Sequence, residues 1–468
     1  MSRLIVISNR VSMPTGAGAA STGGLAMALS AALQEYRGVW FGWSGKTTAE
    51  FTGQLSMSRV SGVTIATVDL AEQDAHEYYN GFANETLWPL CHYRLDLTAF
   101  ERSFGQGYDR VNRLLAETVR PLIEPDDLIW VHDYHLIPLG RELRRLGVTN
   151  RIGFFLHIPW PARQLVAALP RHRQLVESLF DYDLIGFQTE EWLQPFHNYL
   201  EQELAGEVLP GGRVRAFGRT IAAGAFPIGI DAEAFGKVTR GATASQTRRQ
   251  TLASVTDRSL MVGVDRLDYS KGLEERFLAY EQFLTDNPQW RERVQLLQIA
   301  PPSREEVDAY QNIRASLEAL TGRINGTFST VDWTPVRYVN RAYGRDKLAG
   351  IYSAARIALV TPLRDGMNLV AKEYVAAQRP EDPGVLILSR FAGAALQMRE
   401  ALIVNPYSRE DVSEAIKRGL AMPLDERRRR WEGLMQGVQN DDVGAWRDRF
   451  VEALSCSRDP EVVACAAA

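Results

Sequence analysis

The stretch ARIALVTPLRDGMNLVAKEYVAAQ (355–378) sets an apolar run, a polar turn and a helical pattern end to end. The run is continuous rather than alternating in apolarity, the mark of a strand covered on both faces in a parallel sheet. NLVAKEYVAAQ then combines good helix formers with apolar spacing. Similar runs recur at LIVISN (4–9), DLIWVHD (127–133), RIGFFLHIP (151–159), DLIGFQ (183–188), SLMVGVDRL (259–267), RVQLLQIAP (293–301) and GVLILSR (384–390). Segments such as LAMALSAALQEY (25–36) and GLEERFLAYEQFLTD (272–286) are long enough to be crossover helices. An α/β fold is expected.

The rhythm weakens between about 190 and 258, through GEVLPGGRVRAFG and KVTRGATASQTRRQ, and a second strand series begins at 259. A chain of 468 residues exceeds what one core usually supports. Two doubly wound domains are therefore expected, 1–235 and 236–440, followed by a helix over 441–456. The tail 457–468 lacks periodicity and is expected to be disordered. In such sheets ligands gather beyond the carboxyl ends of the strands. RRRR (427–430) reads as the solvated face of a helix rather than as a binding patch.

Composition narrows the classes. Hydrophobic residues make up 45% and charged residues 24%, with a net charge of −4. That balance argues against a nucleic-acid or membrane partner held by bulk electrostatics, but not against small anions held by local cations. Cys91, Cys456 and Cys465 form neither a disulfide framework nor a zinc pattern, which fits free thiols in a reducing cytoplasm. MSRLIVISNR is too short an apolar run for a signal peptide, and no stretch approaches the ~18 residues that span a bilayer. A cytoplasmic soluble protein is expected.

Polar residues cluster where the apolar runs stop. After VTPLRDG, the helix start near Asn368 to Val370 presents free N–H groups and the positive end of a dipole, a setting for phosphate. An ordinary Asp or Asn cap is the simpler alternative. Asp365 and Glu373 can accept hydrogen bonds from sugar hydroxyls. In GVDRLDYSKGL (263–273), Arg266 and Lys271 can neutralise a diphosphate; a surface pair of Arg266 with Asp268 is the alternative. Arg364 is expected in a surface or interdomain ion pair. At the N-terminus ISNR ends a strand at Asn9 and Arg10, and TGGLA (22–26) places Gly23 and Gly24 before a helix, without the dinucleotide fingerprint. HDYH (132–135) hints at a metal, but alternate strand residues face opposite ways and no further ligands complete a site. Asp133 reads better as a group that orients or deprotonates an acceptor hydroxyl, and His157 alone reads as a core residue. Arg304 follows a further strand end in APPSREE. With no GxSxG, Cys/His pair or HExxH, these residues point to an enzyme or binder of a sugar nucleotide and a second phosphorylated ligand.

VISNR, GGLA, WFGWSG, EYYNGF, LWPLCHYR, VHDYHL, RIGFFLHIPWP, RLDYSKGL, INGTF, TPLRDGMNLVAKEY and SRFAGAA occur in this order between residue 4 and about residue 407. In these blocks the chain resembles the bacterial trehalose-6-phosphate synthases, glycosyltransferase family 20. The resemblance implies the GT-B arrangement, two Rossmann-like domains facing each other across a cleft. It implies retaining transfer of glucose from UDP-glucose to glucose 6-phosphate, no cofactor or catalytic metal, and a homo-oligomer, often a tetramer. Carried over by motif, Arg266 and Lys271 hold the diphosphate with backbone groups at Leu369 and Val370. Glu373 binds the ribose, and Asp365, Gly366, Met367 and Asn368 line the donor glucose. Gly23 and Gly24 close over the donor, and Tyr343 lies beside the uracil. Arg10, Tyr79, Trp88, Asp133 and Arg304 form the acceptor site, the two arginines taking the 6-phosphate, and His157 touches the donor glucose near the reacting centre. The final helix, WRDRFVEAL (446–454), crosses back to the N-terminal domain. The alternatives are a relative with another donor or acceptor, such as a glucosylglycerol-phosphate synthase, and a non-catalytic sugar-phosphate sensor.

Overall fold

The computed structural model describes residues 3–11, 33, 38–60 and 62–458. Gly23, Gly24 and nearly all of the helix expected over 25–36 lie outside them. The chain forms two compact units. Unit 1 takes in the described residues up to Ile228 together with 443–458; unit 2 is Gly229–Asp442. A boundary at 235 would cut the helix Ala232–Arg240, whose first N–H groups are capped by Asp231.

Unit 1 carries ten strands: β1 (Leu4–Arg10), β2 (Val39–Thr48), β3 (Ser56–Val60), β4 (Val63–Ala71), β5 (Leu128–His132), β6 (Ile152–Phe155), β7 (Leu184–Phe187), β8 (Glu207–Leu209), β9 (Arg213–Ala216) and β10 (Arg219–Ala225). Their order is β3-β4-β2-β1-β5-β6-β7-β10-β9-β8. From β4 to β10 the pairings are parallel, and antiparallel neighbours cap both edges. Leu4, Ile5, Val6 and Ile7 of β1 are fully buried, so the run has no solvent face and shows no alternation.

Unit 2 has six strands: β11 (Ser259–Val264), β12 (Val294–Ile299), β13 (Val336–Val339), β14 (Ile357–Val360), β15 (Val385–Ser389) and β16 (Leu402–Val404). All pair in parallel in the order β13-β12-β11-β14-β15-β16. That is the Rossmann order 3-2-1-4-5-6, with its switch point between β11 and β14. The parallel part of unit 1 repeats the pattern, and its switch point lies between β1 and β5.

Four helices matter below: α1 (Arg102–Val119), α2 (His172–Leu179), α3 (Leu369–Ala377) and α4 (Val443–Cys456). The last belongs to unit 1. Its Trp446 and Phe450 pack on Trp130 of β5, with ring centroids 4.8 and 4.6 Å apart. Phe450 fits because β6 and β7 carry Gly153 and Gly186 beneath it; a Cβ there would lie 2.8 and 2.7 Å from the ring. Beyond α4, Ser457 is buried and Arg458 holds Asp183 at 2.7 Å. These two residues are therefore fixed, contrary to a disordered tail from 457; those from 459 onward lie outside the described residues.

The four arginines at 427–430 lie on the helix Leu424–Asn440. Arg427 is buried rather than solvated, donating to the Pro383 carbonyl at 2.5 Å. Among the described residues no helix is long and apolar enough to cross a membrane.

Candidate active site

At the switch point of unit 2, the loops after β11 and β14 meet. Lys271 Nζ donates to Asp365 Oδ2 at 2.6 Å, with both side chains largely buried. Asn368 Nδ2 donates to the same oxygen at 3.0 Å, while its Oδ1 accepts from the Ala371 N–H at 3.2 Å. Asn368 has φ of 83°, a left-handed backbone that an Asn tolerates better than most residues. The capping and anion readings of this turn therefore coexist. The cap takes the Ala371 N–H, and the N–H groups of Leu369 and Val370, at the first turn of α3, have no intrahelical partner.

A buried guanidinium braces these loops. Arg276, 1% exposed, donates to Asp265 at 2.6 Å, Gln298 at 2.8 Å and Thr361 Oγ1 at 2.9 Å, and reaches the Lys271 carbonyl at 3.4 Å. Gly272 follows with φ of 61°, and a Cβ there would stand 2.6 Å from the Thr361 carbonyl oxygen. Sequence reasoning passed over Arg276. Its signal was present: it lies three residues after Leu273 and four before Tyr280, on the apolar face of its helix, where a lone Arg needs buried partners.

The other unit 2 candidates scatter around this cluster. Arg266 is exposed on the loop after β11. Met367 is buried, and its carbonyl accepts from the Ala394 N–H at 2.8 Å. Gly366 lies in the turn between Asp365 and Met367. Glu373 sits on α3 where burial pushes its carboxyl up to about 7, opposed by the charge of Arg345. Arg364 lies 5.5 Å over the Phe391 ring. Asp268 pairs with Arg304 at 3.3 Å, and also accepts from Ser270 N–H at 2.9 Å and the Tyr310 hydroxyl at 3.0 Å. Arg304 itself has φ of 51°, a 5% exposed side chain and a further bond to Tyr310. It is a docked group in this conformation, not a cation held open to ligand. Tyr343 lines a separate pocket of about 220 Å³ with Thr247, Thr251 and Arg337, none of which belongs to the Lys271 cluster. Its hydroxyl accepts from Arg341 at 3.0 Å.

The switch point of unit 1 is built from rings. Arg10, exposed at the end of β1, stands 5.1 Å over Trp43. Tyr79 meets Trp43 edge-on at 5.5 Å and stacks on His135 at 5.8 Å. Tyr79 rides a 13-residue π-helix, Ala75–Leu87, a rare wide-turned form that is frequent at functional sites. Trp88, just beyond, is 4% exposed and packs on His92 and Tyr134, so it supports the wall rather than offering a face to ligand.

Asp133, the residue after β5, has φ of 77°, a strained setting for a non-glycine residue. Its Oδ1 accepts from the His157 N–H at 3.2 Å. His157 is the middle of a chain that sequence reasoning missed. Gln188 Oε1 accepts from the Ile228 N–H at 3.1 Å, which leaves its Nε2 to donate to His157 Nδ1 at 3.2 Å. That bond assigns the His157 proton to Nε2, which faces His132 Nδ1 at 3.0 Å. Burial pushes the His157 imidazole down to about 3, so it is neutral in any ordinary buffer. Among the described residues no group of three or more His, Cys, Asp or Glu converges as metal ligands do.

Fold and site together are those of a glycosyltransferase of the GT-B class. The model of Glycosyltransferase family 20 matches residues 6–456, and the chain belongs to that family. It is 50% identical over 461 residues, covering 98% of this chain and 99% of the relative, to a trehalose-6-phosphate synthase of Sinorhizobium fredii. The solved structure of an alpha,alpha-trehalose-phosphate synthase (UDP-forming) from Burkholderia xenovorans, in complex with glucose-6-phosphate, superposes with a TM-score of 0.94. That protein is 48% identical, and the match spans 97% of this chain and all of the other. An E. coli structure described as trehalose-6-phosphate bound with UDP-2-fluoro glucose superposes at 0.92, with 46% identity over 97% of this chain and 99% of that one.

Proposed function

We propose that this protein transfers glucose from UDP-glucose to glucose 6-phosphate, with retention, forming α,α-trehalose 6-phosphate and UDP. The observation that carries the reading is the Lys271–Asp365–Asn368 cluster beside the open first turn of α3, at the switch point of a Rossmann-ordered sheet. Support comes from the family membership and from relatives solved with glucose-6-phosphate and with a UDP-sugar analogue.

Unit 2 reads the donor. Its diphosphate lies on the N–H groups of Leu369 and Val370, with Arg266 and Lys271 alongside. Glu373 accepts from the ribose, Asp365 and Asn368 from the glucose, and Gly366 lets the turn approach it. Met367 takes part through its backbone, and Tyr343 lies beside the base. Unit 1 reads the acceptor through Arg10, Tyr79 and Asp133, with Trp88 behind them; resemblance to the family gives Arg304 a share in the 6-phosphate.

The acceptor hydroxyl attacks from the face the phosphate leaves. The departing phosphate oxygen takes the hydroxyl proton, so no enzymic nucleophile is required. Lys271 and Arg266 stabilise the charge that grows on that phosphate, the largest electrostatic demand of the step. His157, uncharged, packs beside the transferring sugar without titrating. The reaction needs no cofactor and no metal. Resemblance to the family supports a homotetramer working in the cytoplasm.

Product analysis tests the reading. UDP-, GDP- and ADP-glucose are offered with glucose 6-phosphate or glycerol phosphate, and the product linkage is read by NMR. An α,α-1,1 disaccharide phosphate from UDP-glucose is expected. A different acceptor, a β linkage or no turnover would overturn it.

A further inference from the structure

Unit 1 contains a pocket of about 550 Å³ that none of the residues assigned above lines. Its volume falls in the range of small-molecule sites, roughly 300–1,000 Å³. One wall is aromatic: Phe82, whose ring lies 4.4 Å from that of the buried Tyr108, and Phe100, which is 42% exposed. The rim is cationic, with Arg102, Arg110, Arg113, Arg141, Arg145 and Arg171 against three carboxylates, in a chain whose net charge is −4.

Four of these arginines are committed. Arg110 holds Asp74 and Glu77, Arg141 holds Glu177 and Asp181, Arg145 holds Glu142, and Arg171 holds Asp109. Arg102 and Arg113 form no ion pair among the described residues. Helix α1 also begins here, and its N-cap side chain caps no helical N–H; at α2 the His172 and Gln174 N–H groups already bond to the Leu169 and Arg171 carbonyls. The uncapped start of α1, two guanidinium groups outside any ion pair and a pocket of ligand size together describe a site for a multiply charged anion.

We propose that this pocket binds a nucleoside polyphosphate as an effector. Its phosphates lie on Arg102, Arg113 and the start of α1, and its base lies on Phe82 and Phe100. A flat base covers the apolar faces of Phe82 and Phe100, which a sugar phosphate, drawn to Gln106, Asp109 and Gln174 on the same lining, would leave in water. Phe82 and Thr86 reach the pocket from the π-helix that carries Tyr79, and Arg110 ties the start of that helix to the rim. The effector role rests on the acceptor reading of Tyr79; the binding site does not.

Calorimetry with ATP on the full chain, with UDP saturating the donor site, tests the site whether or not trehalose 6-phosphate is made. One ATP per chain is expected. In Arg102→Glu/Arg113→Glu affinity falls about a hundredfold, since two charge-assisted contacts are lost and each is worth about a decade or more; Lys271→Ala binds as the parent does. No binding, or equal binding by the double variant, overturns the site, and tripolyphosphate binding as tightly as ATP overturns the base. At saturating UDP-glucose, ATP should shift the KM for glucose 6-phosphate in the parent and not in the double variant; an unmoved KM overturns the effector role. A double variant that changes oligomeric mass, while the parent binds no ATP, makes this face an interface between copies and overturns the proposal.

Discussion

The two switch points occupy the same place in two sheets of the same order, yet they are built from opposite materials. In unit 2 the loops meet through charge: Lys271 on Asp365, Arg276 on Asp265 and Arg304 on Asp268. In unit 1 they meet through neutral rings and amides: Tyr79 on His135, and His132, His157 and Gln188 in a hydrogen-bonded chain. Both carry strained non-glycine residues in the loops beyond their strands, Asp133 in unit 1 and Asn368 and Arg304 in unit 2. The shared fold supplies an address and a sharp turn, and the side chains placed there decide what chemistry it serves.

The largest contrast should appear when the bracing guanidinium is removed. Arg276→Met leaves Asp265 charged and buried without its partner, which should cost unit 2 about 3–5 kcal/mol. Urea unfolding would read this, and a change below about 1 kcal/mol would mean the loops do not depend on Arg276. Lys271→Ala should slow the chemical step by roughly two to three orders of magnitude, as for one lost transition-state donor. Near-normal single-turnover rates would remove Lys271 from the mechanism. Arg304→Ala should raise the glucose 6-phosphate KM by roughly 10- to 100-fold, the value of one charge-assisted contact, with kcat less affected. An unchanged acceptor KM would leave Arg304 as a structural partner of Asp268.

The smallest effects separate the two units by pH. Glu373 is raised from 4.5 to about 7, so the native state holds a proton that the unfolded chain releases. Stability from this group is therefore present at low pH and lost as pH rises from about 4.5 to about 7. His157 is lowered from 6.5 to about 3, so its contribution is present above 6.5 and lost as pH falls toward 3. Ionised Glu373 is the better acceptor for ribose hydroxyls, so UDP affinity should improve between pH 6 and 8 by at most about tenfold, the yield of one group titrating near 7. Glu373→Gln should flatten that profile; a profile that keeps its slope assigns the titration elsewhere.

The strands read from the sequence are those without a solvent face: β1, β5, β6, β7, β11, β12, β14 and β15. Those not read are β2 to β4, the β8–β10 group, and the short β13 and β16. β3 is mostly exposed and β8 and β9 are rich in Arg, Glu and half-exposed positions, so edge strands carry little apolar signal. The π-helix was not legible either, since no apolar spacing near 3.6 marks a wider turn. Within the site, Lys271 and Asp365 were both named from local pattern, but their pairing spans 94 residues of chain. Asp268, the alternative partner for Arg266 in local sequence, meets Arg304 from 36 residues away.

Local pattern thus determined the parallel α/β class, the helix start at Asn368 and the residue types around it, because strand burial, capping and turn chemistry act within a few residues. Tertiary structure alone decided which charges share a partner, where the His157 proton resides, how Glu373 comes to titrate near neutrality and why Arg304 is docked. Each of those depends on desolvation and on groups brought within about 3 Å from distant parts of the chain, and burial of that kind exists only once the sheets have closed.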